Sequence, residues 1–289
     1  MGRSSLAKDG PPLGRLKESL ARNWWTLQRF GLSPGKIPLR FRNKAEPRVF
    51  CVSIPKAGTH LLERALCLHP RLYRTLIPTV LRKNMDRWEG LEGILRRMKP
   101  GQVVMSHLLF EPAYAGRLRD VGVPLVFMIR DPRDILLAHV FNITRSKRNP
   151  FHDTLTSRPE LRDRIVLVIE GDPAINLPSM AFRLERFAGW LDAGGLVVRF
   201  EDLVGPAGGG SAERQAAALR SLFTHLRLPA GDGLIDSIAG QLFSSRSPTF
   251  RRGATGDWAR YLDAELRDLF FDRTGDLMAR YGYGRGGPS

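Results

Sequence analysis

An apolar run from Val49 to Ile54 leads into Pro55-Lys56-Ala57-Gly58-Thr59-His60, after which Leu61, Leu62, Ala65 and Leu66 recur at helical spacing. A chain with these features in this order is committed to a strand, a tight loop and a helix. That is how a backbone builds a cradle for an anion. The strand delivers the loop, the glycine lets a ligand approach the backbone, and the first helical turn offers unpaired N–H groups at the positive end of its dipole. Lys56 adds a mobile positive charge. The loop is not the G-x-x-x-x-G-K-[ST] loop of nucleoside triphosphatases, because its lysine precedes its glycine and it is too short to wrap a triphosphate. A phosphate or sulfate fits it. On these residues alone, so does a plain strand-to-helix turn.

From Arg48 onward, apolar runs alternate with helical patterns, the signature of an α/β fold with a central parallel sheet flanked by helices. The expected strands are Val49 to Ile54, Gln102 to Ser106, Leu125 to Ile129 and Leu196 to Phe200, with helices after Thr59, Glu111 and Pro132 and another at Ser179 to Leu191. Ligands of such sheets bind beyond the carboxyl ends of the strands. Lys56, His107, Arg130 and the pair Glu201 and Asp202 each follow a strand there.

The chain has 289 residues, 43% of them hydrophobic, which suits one enzyme domain, taken as residues 49–285, behind a basic N-terminal extension, residues 1–48. Two cysteines, Cys51 and Cys67, are too few for a disulfide framework and read as buried small hydrophobes. No apolar run approaches the roughly 18 residues of a membrane span, and the N-terminus lacks the apolar core of a signal peptide, so the protein reads as cytoplasmic. The net charge is +16, and roughly half of it lies in the first 48 residues. Nucleic-acid motifs are absent, and an anionic small-molecule substrate accounts for a positive cleft without DNA or RNA. In residues 13–30, Leu13, Leu16, Leu20, Trp24 and Leu27 form an apolar stripe opposite basic residues, a helix that can dock on its own domain or a partner, or make peripheral contact with an anionic membrane.

Near the other end, Phe250-Arg251-Arg252-Gly253-Ala254-Thr255-Gly256-Asp257-Trp258 joins paired arginines to a Gly-x-x-Gly-Asp-Trp turn, and Leu125 to Ile129 runs into Arg130-Asp131-Pro132-Arg133-Asp134. With the Pro-Lys-x-Gly-Thr loop, these motifs resemble, in order, those of the PAPS-dependent sulfotransferases of the cytosolic type. The resemblance spans roughly residues 49 to 260. It implies a P-loop-like sulfotransferase fold, with 3′-phosphoadenosine 5′-phosphosulfate (PAPS) as co-substrate and a hydroxyl, or less readily an amine, as acceptor. It requires no metal.

The resemblance also assigns roles. Lys56 would meet the bridging oxygen between phosphate and sulfate, with Ala57, Gly58 and Thr59 completing the cradle and His60 touching the sulfate end. Ser106-His107-Leu108 is similar to the family's Thr-His-Leu, which makes His107 the general base; an imidazole with an ordinary pKa near 6.5 accepts a proton at neutral pH. Arg130 would hold the 3′-phosphate from one side, and Arg251, Arg252 and the Gly253 backbone from the other. Phe200 and Phe243 would flank adenine. Arg133 and Asp134 read as structural, capping or pairing in a helical turn.

Two positions depart from the family pattern: Ala138 stands where relatives place a phosphate-binding serine, leaving Ser146 or the arginine pair to compensate, and Leu61 replaces a tryptophan. These departures keep open a PAPS- or anion-binding protein without catalysis. A P-loop-like nucleotide kinase is the enzyme alternative, but no acidic strand end is placed for magnesium. Residues 70–100 and 145–176 are expected to wall the acceptor pocket, with Arg71, Arg74, Arg82, Lys83, Trp88 and Phe151 among them. The segment Ser244 to Gly256 reads as a lid. The family's dimerisation pattern after Gly-Asp-Trp is not matched, so the sequence leaves the oligomeric state open.

Overall fold

The computed structural model describes residues 23–40, 46–243 and 254–288. Strands β1 (Val49–Ser53), β2 (Tyr73–Arg74), β3 (Gln102–Ser106), β4 (Leu125–Ile129) and β5 (Leu196–Arg199) form one sheet in the order β2-β3-β1-β4-β5, and every neighbouring pair is parallel. The expected α/β class and the expected strands are therefore present. All residues of β1 and β4 are buried, as in strands covered on both faces by crossover helices. The strand absent from the sequence reading is β2. It is too short for a periodic signal and is held by Tyr73 N–H to the Gly101 carbonyl (2.9 Å) and Thr75 N–H to the Val103 carbonyl (3.1 Å).

The crossovers and flanking elements include helices α1 (Thr59–Leu68), α2 (Gly90–Arg97), α3 (Pro112–Asp120), α4 (Pro132–Arg145), α5 (Leu161–Glu170), α6 (Met180–Ala188), α7 (Ala212–His225), α8 (Asp232–Leu242) and α9 (Ala264–Thr274). Their starts have local causes. Pro112 and Pro132 occupy first-turn positions that need no N–H, and the Asp131 and Ser179 side chains accept the N–H groups of Arg133 and Phe182. The apolar run at Ile165 to Ile169 lies inside α5. Cys51 and Cys67 are buried free thiols.

The register lines up the site. Val52 pairs with Ser106, Ser53 with Met128, and Ile129 with Arg199, so the segments that follow β3, β1, β4 and β5 emerge side by side along one edge.

Part of the N-terminal extension packs on this domain; residues 13–22 of the expected helix lie outside the described residues. Residues 23–29 are helical, and the Trp25 ring lies 4.5 Å from the Arg64 guanidinium. Arg29 pairs with Glu63, which also takes Arg74 Nη1 at 2.6 Å. The Lys36 ammonium is buried against the carbonyls of Cys67 and Leu72, where the end of α1 leaves acceptors unmet, and burial pulls its pKa down to about 8. Trp24 and Leu27 stay exposed on this segment. Among the described residues no helix is long and apolar enough to cross a membrane.

The two kinds of ion pair in this fold should respond differently to mutation. Arg74 and Glu63 are both almost fully buried, so Arg74→Met, which leaves Glu63 with Arg29 as its remaining arginine partner, should cost about 2–4 kcal/mol, towards the range for a broken buried pair. Arg117, paired with Glu92 at the surface, should change stability by less than about 1 kcal/mol when replaced by Met. Urea unfolding of both variants measures the difference, and equal midpoints would contradict it.

Candidate active site

The cradle forms as the residue types demand. Lys56 adopts φ 76° and Gly58 φ 106°, which turn the chain from β1 into α1, and Gly58 is the helix N-cap. A side chain at Gly58 has no room: its Cβ would lie 2.5 Å from Phe200 Cδ2 and 2.9 Å from Met128 Cε. Among the described residues, the N–H groups of Gly58, Thr59 and His60 meet no acceptor, as expected of a first helical turn that faces a ligand. Ala57 is buried and ties the loop back through its N–H to the Ile54 carbonyl (2.9 Å). The Lys56 ammonium donates to Asn142 Oδ1 on α4 at 2.6 Å, and burial lowers its pKa.

His107 leaves β3 beside this loop. Its Nδ1 is 2.7 Å from the Ser53 carbonyl and 3.2 Å from Ser53 Oγ, which in turn is 2.7 Å from Thr59 Oγ1. A carbonyl oxygen can only accept, so Nδ1 carries the proton and Nε2 the lone pair. Burial, with a smaller contribution from the Lys56 charge, holds the imidazole below its ordinary pKa, although the Ser53 carbonyl opposes the shift. His107 is therefore neutral at physiological pH, with its tautomer set by the backbone of the neighbouring strand. His60 is placed differently. Its side chain is 53% exposed and its Nδ1 lies 3.8 Å from Glu63.

Arg130 follows β4 and lies over the Phe200 ring at 4.2 Å, so one face of that aromatic carries the guanidinium. Its Nη2 donates to the Ala254 carbonyl at 2.8 Å and sits 3.3 Å from Asp134. Asp134 also accepts the N–H groups of Gly256 (3.0 Å) and Trp258 (3.1 Å). Burial raises the Asp134 pKa, while Arg130 and these N–H groups work against the shift. Arg133 is fully buried, clasps Asp131 with two nitrogens (3.0 and 2.7 Å) and stacks 3.6 Å from the Trp258 ring. The motif after β4 thus anchors the Gly-x-x-Gly-Asp-Trp turn. Glu201, after β5, closes the group by accepting the Asp131 N–H (2.8 Å) and the Tyr283 hydroxyl (2.9 Å).

Lys56, Ala57, Gly58, Thr59, His107, Arg130 and Phe200 are brought together on one edge of the sheet. Phe243 terminates α8 as its C-cap. Arg251, Arg252 and Gly253 lie outside the described residues, as does most of the expected lid. Of the residues expected to wall the acceptor pocket, Arg74 is engaged by Glu63 and by Thr79 (3.2 Å), and Arg82 by Glu111 and Tyr114. Asn142 and His139 went unnoticed in the sequence. Their only signal is that they lie three residues apart on one helix, so they share a face. Among the described residues no group of three His, Cys, Asp or Glu side chains could hold a metal ion.

No family model and no curated protein matches this sequence. Solved structures do match. The crystal structure of mouse sulfotransferase SULT7A1 complexed with PAP is 18% identical, with a TM-score of 0.62 over 83% of this chain and 88% of that one. Retinol dehydratase in complex with androsterone and the inactive cofactor PAP is 14% identical, with a TM-score of 0.54 over 81% of this chain and 82% of that one. A complex of retinol dehydratase with retinol and PAP is 16% identical, with a TM-score of 0.53 over the same shares. Likeness at these identities establishes architecture, and the chain has the fold of the mouse sulfotransferase.

Proposed function

We propose that the chain is a PAPS-dependent sulfotransferase that moves a sulfuryl group to an acceptor hydroxyl and releases 3′-phosphoadenosine 5′-phosphate. The observation that carries this reading is His107: its Nδ1–H is tied to the Ser53 carbonyl, and its Nε2 is left as a base beside an anion cradle. The shared fold with proteins solved in complex with PAP supports it.

In this reading Nε2 of His107 takes the acceptor proton as the acceptor oxygen bonds to sulfur and the bond from sulfur to the bridging phosphate oxygen breaks. Lys56 and the free N–H groups of Gly58, Thr59 and His60 meet the charge that grows on that oxygen. Lys56 must first exchange Asn142 for the anion, and a charge-assisted bond to an oxyanion is the stronger of the two. Arg130 holds the 3′-phosphate, with Arg251, Arg252 and the Gly253 backbone closing from the lid. Phe243 and Phe200 serve adenine.

Titration with 3′-phosphoadenosine 5′-phosphate and with ATP, followed by a labelled-PAPS screen of phenols, glycans and lipid alcohols, tests the reading. Preference for ATP, or donor binding with no transfer to any acceptor, would count against it. His107→Ala should preserve donor-product binding and lower turnover by roughly 10² to 10⁴. Because catalysis needs the neutral imidazole and burial pulls its pKa below 6.5, kcat/KM should stay level between pH 7 and pH 8 and fall only on acidification below 6.5. An acid limb centred above pH 7, or one that persists in His107→Ala, would transfer the role to another group.

Arg130→Ala should weaken binding of 3′-phosphoadenosine 5′-phosphate by about 1.5–3 kcal/mol, the worth of hydrogen bonds to a charged group. Adenosine 5′-phosphate, which lacks the 3′-phosphate, should bind the variant and the parent nearly alike. Equal losses for the two nucleotides would refute the assignment.

A further inference from the structure

A chain of three groups links the base to the cradle. Ser53, the last residue of β1, is fully buried. Among the described residues its Oγ has two hydrogen-bond neighbours, His107 Nδ1 at 3.2 Å and Thr59 Oγ1 at 2.7 Å. His107 Nδ1 carries its proton, because the Ser53 carbonyl 2.7 Å away can only accept, so toward Ser53 Oγ it is a donor as well. A buried hydroxyl must place its own proton too. With Nδ1–H as a donor, the acceptor left for the Ser53 proton is Thr59 Oγ1.

That direction fixes the next link. Thr59 Oγ1 accepts from Ser53 and makes no other hydrogen bond among the described residues, so its own proton has no acceptor. Thr59 is the first residue of α1, and its backbone N–H is likewise unmet. Both donors belong to the anion cradle, at the positive end of the helix. An anion seated there is the acceptor that the chain lacks. The bonds then run one way: from His107 Nδ1–H to Ser53 Oγ, from the Ser53 hydroxyl to Thr59 Oγ1, and from the Thr59 hydroxyl to the anion.

We propose that Ser53 is a positioning residue that couples the donor to the base: an anion in the cradle takes the Thr59 proton in a hydrogen bond, strengthens each bond behind it and makes His107 Nε2 more basic. Hydrogen bonds in a chain polarise one another, so an acceptor gained at one end is felt at the other. A stronger acceptor at Nδ1–H favours the charged form of the ring. The inference rests on the sulfotransferase reading and deepens it, because the base is then strongest when the cradle is filled. No proton leaves Nδ1 in this arrangement. The acceptor proton is taken at Nε2, and Ser53 acts only through His107 and Thr59.

Ring 15N NMR of His107, assigned by its loss in His107→Ala and recorded with and without 3′-phosphoadenosine 5′-phosphate, tests the coupling without any acceptor. The nucleotide should displace the Nδ1 resonance in the parent protein and in Thr59→Ser, which keeps the hydroxyl. Charge alone also moves a nearby ring, so the comparison is between variants: the displacement should fall by about half or more in Ser53→Ala and in Thr59→Val. Ser53→Ala should keep the parental affinity for the nucleotide. With an acceptor from the screen, each of these two substitutions should lower kcat roughly three- to tenfold, the worth of one hydrogen bond, and leave the acceptor KM unchanged. The double variant should lose no more than the larger single loss, because a chain is broken only once. No displacement in the nucleotide-bound parent, equal displacements in the parent, Ser53→Ala and Thr59→Val, or losses that multiply in full would each overturn the proposal. If Ser53→Ala does not fold, Thr59→Val against Thr59→Ser decides alone. Failure of the parent protein to bind 3′-phosphoadenosine 5′-phosphate at all would instead bring down the sulfotransferase reading beneath it.

Discussion

The contact on which the rest of the site depends is the packing of Gly58 on the Phe200 ring. Gly58 has a backbone that L side chains rarely adopt, and the ring comes so close that not even a methyl group fits between them. The consequences extend in both directions along the sheet edge. On one side the left-handed turn starts α1 and aims its free N–H groups outward. On the other, the same ring supports the Arg130 guanidinium, and the next residue, Glu201, fixes the Asp131 backbone. Strands β1, β4 and β5 therefore present their loops as one rigid unit. Cradle, arginine and anchor cannot move independently.

Within that unit the buried charges fall into two groups with different duties. Arg133 is fully paired and Glu63 has two arginine partners, so these charges return in pairing what they lose in solvation and serve to hold elements together. Among the described residues Lys56 has only a neutral amide oxygen as its hydrogen-bond partner, and Arg183 keeps a buried N–H with none. Leaving cations short of counter-charge costs stability, and structures tolerate that where a ligand supplies the missing partner. The proposed role of Lys56 towards the donor rests on this asymmetry rather than on the overall positive charge of the chain.

Much of this was legible from the sequence because the informative features are local. Four strands, the helices that follow Thr59 and Pro132, and the position of His107 at a strand end all follow from periodicity and punctuation within short windows. What could not be read depends on residues far apart in the chain. Strand β2 exists because β3 offers it carbonyls, not because Tyr73 and Arg74 have a strand pattern. Phe200 reads as an aromatic free to stack on adenine, yet one face is occupied by Arg130, which lies in a different strand-end loop. Arg74 looked like a pocket residue until Glu63, eleven positions earlier on the face of a helix, claimed it. His139 and Arg183 gave no signal, since the property that singles them out is the absence of a partner, and no linear pattern records an absence.

The two imidazoles at the centre divide their work through burial. Nδ1 of His107 is 2.7 Å from the Ser53 carbonyl, and Nε2 of His139 is buried with no hydrogen-bond partner among the described residues. A base must also carry a proton once it has taken one, and His139, enclosed and next to Arg183, resists the charge more strongly than His107, which is closer to solvent. Protonation at His107 leaves the imidazolium able to keep its Ser53 bond and to face a departing anion. The same event at His139 would place a third cation against Lys56 and Arg183. The surroundings therefore suit His107, in the proposed function, to moving a proton, and His139 to staying neutral.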